Sequence, residues 1–205
     1  MRLRWKCVFV VWLTCAATGV ISSQHGPFGR YTGPNSLGTY SHDRVITLKS
    51  FLTSFGTVPS RRDTYCIADA DHGLFLYARV DDEHNRGHVD VVFLSSFPNC
   101  RHLPVVSATI DPAIWKTPEG VGIGSTKQVV VKEYGQPQFS FKEELKSRGR
   151  IAGMRDSDQI QIDFGDLSYD YTCMIDEKHG CDDLRVTEFG FKHDKVIWIS
   201  ISDSE

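Results

Sequence analysis

Two segments of the chain space their apolar residues as a helix does, and both end in the same way. In residues 47–59 and again in residues 125–137, apolar side chains recur four positions apart, an aromatic residue and a glycine follow, and a proline closes the segment. Glycine favours the left-handed conformation that ends a helix and proline prevents continuation, so Gly56 and Gly135 predict the helix C-termini. Ser125, with a glutamine three residues later, forms a capping box that predicts the start of the second helix.

Alternating apolar and polar residues, with β-branched and aromatic runs, predict strands after each helix. The predicted strands are residues 64–68, 74–80 and 89–95 in the first half, and 160–164, 169–175, 184–191 and 196–201 in the second. Residues 191–196 predict a tight hairpin between the last two strands. Residues 141–148, which follow a second capping box, predict a further short helix.

Prolines cluster in residues 98–118, and a helical pattern followed by strand patterns occurs on each side of them. We therefore predict an α+β fold of two related units, each of one or two short helices packed on an antiparallel β-sheet. The first unit is expected at 42–100, a linker at 101–118 and the second unit at 119–205. Residues 24–41, rich in Gly, Pro, Ser and Thr, predict an irregular N-terminal arm.

Residues 1–23 have the three-part pattern of a secretory signal peptide. Arg2, Arg4 and Lys6 are followed by an apolar run and then by small residues. The apolar run is shorter than the roughly 20 residues that span a bilayer, so no transmembrane segment is expected in the mature chain. We expect a secreted or periplasmic protein. A lipidated Cys15 is the alternative, and the residues before it fit a lipobox poorly.

The composition is that of a globular protein, with 40% hydrophobic and 24% charged residues among 205. Removal of residues 1–23 takes three of the 23 basic residues and no acidic one, which leaves 20 basic against 26 acidic residues and a net charge of −6. Because nucleic-acid binding needs clustered Lys and Arg to neutralise phosphates, no nucleic-acid partner is expected.

Four cysteines remain after the signal segment: Cys66, Cys100, Cys173 and Cys181. An even number in an oxidising compartment indicates two disulfides. Three connectivities are possible, and pairing within each predicted unit favours Cys66–Cys100 and Cys173–Cys181. No two cysteines have the Cys-x2-Cys spacing of a structural zinc site.

His84 and His88 are candidate zinc or copper ligands, because they lie four residues apart in an acidic stretch. The more ordinary interpretation is a solvated hairpin loop, since Asn85 and Gly87 are turn residues. Neither histidine falls in a His-Glu-x-x-His motif.

The remaining motifs are more typical of turns than of ligand-binding or catalytic sites. The glycine run at 120–124 does not match a nucleotide-binding motif and predicts a tight turn before a helix. The acidic stretches 69–73 and 176–183 resemble turns more than calcium loops. No Gly-x-Ser-x-Gly elbow is present, so no catalytic residue and no cofactor are predicted.

Tyr169 and Tyr171 are the candidate interface residues, because they alternate with polar residues and so face one side of a strand. Exposed tyrosines of this kind are frequent in protein interfaces. Phe189, Phe191 and Trp198 are instead expected to fill the core.

Residues 120–127 (GVGIGSTK) and 134–137 (YGQP) resemble a repeated module of exported bacterial proteins. This module is the small α/β domain of the outer-membrane assembly lipoproteins (SmpA/OmlA, or BamE-like). Its tandem, disulfide-bearing form is similar to β-lactamase-inhibitory-protein-like exported proteins. The resemblance implies an exported, non-catalytic binding or scaffolding role and names no partner. We expect an exported binding or interaction protein whose sheet face carries the contact with another protein. The alternatives are an exported hydrolase with an unlocated site, and a metal-binding protein that uses His84 and His88.

Overall fold

The computed structural model describes residues 32–56, 64–80, 87–96, 105–142, 165–173 and 184–204. Two very short strands, β1 (Ser36–Leu37) and β2 (Tyr40–Ser41), form a small antiparallel hairpin. The other strands are β3 (Thr64–Asp69), β4 (Leu74–Val80), β5 (Val89–Ser95), β6 (Val105–Ser107), β7 (Phe139–Lys142), β8 (Leu167–Cys173), β9 (Leu184–Lys192) and β10 (Lys195–Ser204). These eight make one sheet in the order β6-β3-β4-β5-β10-β9-β8-β7, and β6 is parallel to β3.

Helix α1 (Leu48–Thr53) is short because both of its ends are fixed locally. Thr47 is the N-cap, and its hydroxyl accepts a hydrogen bond from the Ser50 N–H at 3.2 Å. Gly56 follows the helix with a φ of 68°, as its position in the sequence predicted. The buried face of the helix consists of Leu48, Phe51 and Leu52.

Helix α2 (Lys127–Tyr134) begins one residue later than the predicted capping box. Thr126 is the N-cap, and its hydroxyl accepts a backbone N–H of the first turn. The Ser125 hydroxyl instead accepts the Gly122 N–H at 3.0 Å and closes the turn before the helix. Gly135, with a φ of 77°, ends the helix. The glycine run therefore forms a turn that leads into a capped helix, as predicted.

A tight hairpin joins β9 to β10, as the sequence predicted. Its two turn residues, His193 and Asp194, have φ values of 48° and 62°, the left-handed conformations of a two-residue β-turn. The Lys127 N–H donates to the Asp194 carbonyl at 3.0 Å, so this turn also positions the start of α2.

The described residues are mostly β-structure, with two short helices, one mixed eight-stranded sheet and a small hairpin. The sequence predicted two antiparallel sheets, one in each of two related units. In the structure, β5 and β10 pair antiparallel from Ser95↔Trp198 to Val91↔Ser202, so strands of both halves share one sheet. This pairing removes two apolar strand edges that separate sheets would expose.

Segments predicted to be irregular contribute to the core. The β1–β2 hairpin lies within residues 24–41, and its Tyr40 is buried. Residues 101–118, predicted as a linker, contain β6 and the buried Trp115. The hairpin packs on this ring at Gly38, where a Cβ would overlap the indole of Trp115.

Some predicted elements fall outside the described residues, namely the signal peptide at 1–23 and the strand at 160–164. The helix predicted at 141–148 is wrong at its start, because Phe141 belongs to β7, while residues 143–148 are not among those described. An alternating Phe-Ser-Phe pattern suits a strand, and pairing with β8 overrides the capping signal.

Candidate functional site on the second face of the sheet

Strand alternation gives the eight-stranded sheet two faces. The helix face packs under α1 and α2 and includes Leu76, Leu94, Phe189 and Ile199. The other face, here the second face, carries the alternate positions of the same strands. One row crosses it through registered pairs, in the order Tyr77, Phe93, Ser200, Glu188, Asp170 and Phe139.

The first half of the second face is aromatic. Tyr77, Phe93 and Trp198 are all buried, and the rings of Phe93 and Trp198 lie 5.5 Å apart between centroids. Gly190 is registered opposite Trp198, and a Cβ built on it would overlap the indole. The absence of a side chain at this position therefore lets the indole lie over β9.

The other half of the second face carries two carboxylates. Asp170 on β8 and Glu188 on β9 are directly opposite each other, and they are 9% and 2% exposed. Like charges at opposite positions of neighbouring strands destabilise a sheet. A buried charge also requires hydrogen bonds, a counter-charge or a metal. Both residues have other interaction partners in the protein. The pair is therefore a buried polar part of the second face whose side chains are engaged within the protein.

Two serine hydroxyls flank this carboxylate pair. Ser200 is registered opposite Glu188, and Ser168 lies two residues before Asp170 on the same face of β8. Each serine is 1% exposed, and neither Oγ atom has a hydrogen-bond partner. An unsatisfied buried hydroxyl costs about 1–3 kcal/mol, so two of them beside two carboxylates indicate a polar site.

An ion pair lies further along the same face. A register shift between β4 and β5 brings Asp90 beside Arg79, and the Nη2 and Oδ2 atoms lie 2.7 Å apart. The guanidinium Nε also donates to the second carboxylate oxygen at 3.4 Å. The two contacts give the pair the bidentate geometry of a charge-assisted hydrogen bond.

The second face is accessible at its β7 end. Phe139, registered opposite Asp170, is 48% exposed. Its ring stacks with that of Phe141 at 6.3 Å between centroids. An exposed phenylalanine supported by a partly buried one has the composition of a protein-interface anchor.

A second carboxylate site lies in the turn between β3 and β4. The buried Asp69 accepts the N–H groups of Asp71 and His72 on one oxygen, at 3.0 and 3.1 Å. The other oxygen accepts the Ile110 N–H at 2.6 Å and lies 2.7 Å from His72 Nδ1. The stretch 69–73 is thus a hairpin turn, which agrees with its sequence interpretation.

These contacts shift the pKa values of both Asp69 and His72. Burial by itself would raise the pKa of the Asp69 carboxyl, but the hydrogen bonds from His72 and Ile110 lower that pKa to about 2. The hydrogen bond to Asp69 raises the pKa of His72 above its ordinary value of 6.5. The pair is therefore an ionised carboxylate joined to a readily protonated imidazole.

The two candidate interface tyrosines lie on the helix face, on the same side as each other. Tyr171 is 0% exposed, and its hydroxyl donates to the Gly135 carbonyl at 2.9 Å. Burial raises the pKa of this hydroxyl. Tyr169 is partly buried and packs edge-on against Phe191 at 5.0 Å. Tyr171 has no exposed surface to offer a partner, whereas Phe139 does.

The predicted core aromatic residues are buried. Phe189 and Phe191 belong to the core of the helix face, as expected. Trp198 is also buried, but it lies on the second face. The sequence analysis missed Asp170 and Glu188. For Asp170 a signal exists, because the polar residues of β8 alternate regularly with its apolar ones.

The proposed metal ligands are described in part. His88 forms an isolated β-bridge with Thr47 just before β5. His84 lies outside the described residues, so a shared metal remains a prediction. Within the described part of the chain, no three His, Cys, Asp or Glu side chains are grouped to hold a metal ion.

The cysteines are likewise described in part. Cys66 is buried on β3 and is disulfide-bonded. Cys100 and Cys181 lie outside the described residues, and only the backbone of Cys173 is described. The pairings Cys66–Cys100 and Cys173–Cys181 therefore remain predictions.

Comparison with known protein families, with curated proteins and with solved structures finds no match to this chain. The resemblance of residues 120–137 to the exported module therefore remains a prediction. Across the described ranges, no helix is both long enough and apolar enough to cross a membrane.

Proposed function

We propose that the protein is an exported, non-catalytic binding protein that contacts another protein through the second face of its sheet. The signal-peptide pattern of residues 1–23 supports export. The resemblance of residues 120–137 supports the same class. The observation that carries the proposal is the exposure of Phe139, 48%, on a face whose central side chains are buried.

Phe139 is suited to anchor a partner. A phenyl ring offers a large apolar area with few rotatable bonds, so little side-chain entropy is lost when it is immobilised. The stacked ring of Phe141 supports it from one side. Asp170, registered opposite Phe139, is buried and already has interaction partners within the protein, so the anchor is apolar and the matching partner surface is an apolar pocket.

The hydrolase alternative has less support from the described residues. His72, held by Asp69, has the orientation of a general base. A hydrolase would place a nucleophilic hydroxyl or thiol within hydrogen-bond reach of that imidazole. In the described part of the chain, the side-chain hydrogen bond of His72 is the one to Asp69. This environment favours a structural role for the pair.

A site-specific crosslink tests the proposal. The full chain is secreted with its disulfides intact and carries the photo-crosslinker benzoylphenylalanine in place of Phe139. It is then irradiated in an envelope extract of its source. We expect one dominant crosslinked protein. Phe139→Ala should then weaken binding of that purified protein by at least about tenfold.

The matched control places the same probe at Ile114, an exposed apolar residue outside the sheet with 55% exposure. It should not capture the same protein. Equal capture from both positions, or unchanged affinity in Phe139→Ala, would refute the assignment of the second face.

A further inference from the structure

The strand β6 lies at one end of the eight-stranded sheet, and half of its backbone groups point away from the sheet. Successive residues of a paired strand direct their N–H and C=O groups alternately towards and away from the neighbouring strand. The Ala108 N–H donates to the Ala68 carbonyl at 3.2 Å, so Val106 and Ala108 face β3. Val105 and Ser107 therefore direct their N–H and C=O groups outwards.

These outward groups are exposed. Val105 is 53% exposed, and Ser107 is exposed as well. In the part of the chain that the structure describes, no backbone group pairs with them. Proteins commonly protect such an edge with a lysine, a proline or a bulge within the strand, and Val105–Ser107 contains none of these. The edge of β6 is therefore a template for one more strand.

Two carboxylates lie where the chain leaves β6. The Asp69 carboxylate at the end of β3 accepts the Ile110 N–H at 2.6 Å, which keeps the following Asp111 beside this end of the sheet. The pKa of His72 is raised by its hydrogen bond to Asp69 and further by the charges of Asp71 and Asp111, so both carboxylates lie close to that imidazole.

This end of the sheet carries a net negative charge. Asp69 and a protonated His72 compensate each other, which leaves the charges of Asp71 and Asp111. Both aspartates are exposed, and among the described residues neither forms an ion pair with a Lys or Arg. A positive charge on a bound partner would be attracted here.

We propose that β6 binds an extended segment of another polypeptide as a ninth, antiparallel strand, with a Lys or Arg of that segment beside Asp71 and Asp111. Backbone hydrogen bonds to Val105 and Ser107 supply the affinity, as in other cases of strand addition. Antiparallel pairing is the more stable per residue, and the exposed Val105 favours a β-branched residue opposite it. Because β6 runs towards Asp111, an antiparallel segment brings its N-terminal end, and hence the basic residue, to the carboxylates.

This contact is separate from the one proposed at Phe139. The strands β6 and β7 are the two ends of the sheet order, so a segment added to β6 leaves Phe139 accessible. Either proposal can therefore fail without the other.

The first test is a peptide titration followed by amide NMR of the full, oxidised, isotope-labelled chain. The probe is acetyl-Lys-Thr-Val-Thr-Val-Thr-amide, a β-branched peptide with one basic side chain at its N-terminal end. We expect the amide signals of Val105 and Ser107 to shift and that of Phe139 to stay unchanged. Replacing the peptide lysine by glutamate should weaken binding at least about tenfold. Asp111→Asn should reduce that difference.

Peptide N-methylation separates strand pairing from non-specific apolar contact. Two isomers of the probe carry methyl groups on alternate sets of amides, so each has one edge that cannot donate hydrogen bonds. One isomer should bind as the parent peptide does, and the other should not bind, because only one edge of an added strand faces β6.

A matched pair of variants tests the same edge from the protein side. Ser107→Pro removes an outward N–H and leaves the bonds to β3, because proline is tolerated on an edge strand after an extended residue such as Val106. We expect it to lose peptide binding at a Tm close to that of the wild type. Ser107→Ala keeps the N–H and should bind as the wild type does.

The methylated isomers decide the matter if Ser107→Pro does not fold. The proposal is overturned if the parent peptide leaves the Val105 and Ser107 signals unshifted, if both isomers bind equally, or if a folded Ser107→Pro binds as the wild type does.

Discussion

Among single residues, Asp69 connects parts of the chain that are far apart in sequence. Its carboxylate holds two N–H groups of the β3–β4 turn and the N–H of the buried Ile110. Ile110 leads to Trp115, whose ring packs against Phe51 of α1 at 6.1 Å. Because an ionised carboxylate accepts these hydrogen bonds better than a neutral acid, the attachment depends on pH.

The sign of that dependence follows from the two pKa shifts. The pKa of Asp69 is lowered from 3.8 to about 2, so its contribution to stability is complete above 3.8 and is lost as the pH falls towards 2. The pKa of His72 is raised from 6.5, so its contribution is complete below 6.5 and is lost as the pH rises through the raised value.

We therefore expect the Tm gap between wild type and Asp69→Asn to shrink as the pH falls from 3.8 to about 2. The gap for His72→Gln should shrink instead as the pH rises above 6.5. Melting curves at closely spaced pH values measure both gaps. Gln128→Ala, which removes no titrating group, is the control. Gaps that stay constant through both pH ranges would contradict the proposed linkage.

At the scale of elements, two neighbouring hydroxyls at the start of α2 accept different backbone N–H groups. Ser125 accepts the Gly122 N–H of the preceding turn, and Thr126 caps the helix. We expect Thr126→Ala to lower the free energy of unfolding by about 1 kcal/mol, because a helix N–H loses its acceptor. Thr126→Ser keeps the hydroxyl and should lie close to the wild type in urea denaturation. Equal losses in the two variants would show that the hydroxyl does not cap the helix.

Most elements were predictable because their signals are local. The limits of β4 (Leu74–Val80) and β5 (Val89–Ser95) match the predicted ranges, and both glycine-terminated helices are present. The cap of α2 was misplaced by one residue because Ser125 has the glutamine three residues later that a capping box requires, whereas Thr126, which caps the helix, has Val129 there. Which one caps depends on Gly122, and that contact is not visible in a sequence pattern.

The candidate site was harder to predict, and β9 gives the reason. The apolar residues of β9 switch from one face of the sheet to the other along the strand. Val186 lies on the second face, whereas Phe189 and Phe191 lie on the helix face. Alternation therefore cannot assign a face to Glu188, which lies just after the change. Glu188 lies opposite Asp170 because of the register between β8 and β9, and no local sequence pattern predicts that register.

For the whole molecule, the decisive contact is the pairing of β5 with β10. Ser96 and Ile197, which are 101 residues apart, are joined by a backbone hydrogen bond of 3.0 Å. The N-terminal segment also reaches the second half. The Thr187 hydroxyl donates to the Pro34 carbonyl at 3.4 Å, and Arg185 pairs with Asp43 at 3.0 Å. One apolar cluster spans residues of both halves.

A shared sheet and a shared core imply that the two halves unfold together, although two units were predicted from the sequence. If one half unfolded alone, it would expose a full edge of β5 or β10 and half of the apolar cluster. We expect far-UV circular dichroism and tryptophan fluorescence to give the same urea midpoint for the oxidised chain. Amides of β4 and β9 should likewise exchange with the same opening free energy. Two separated transitions would instead mean that the halves are independent units joined at an edge.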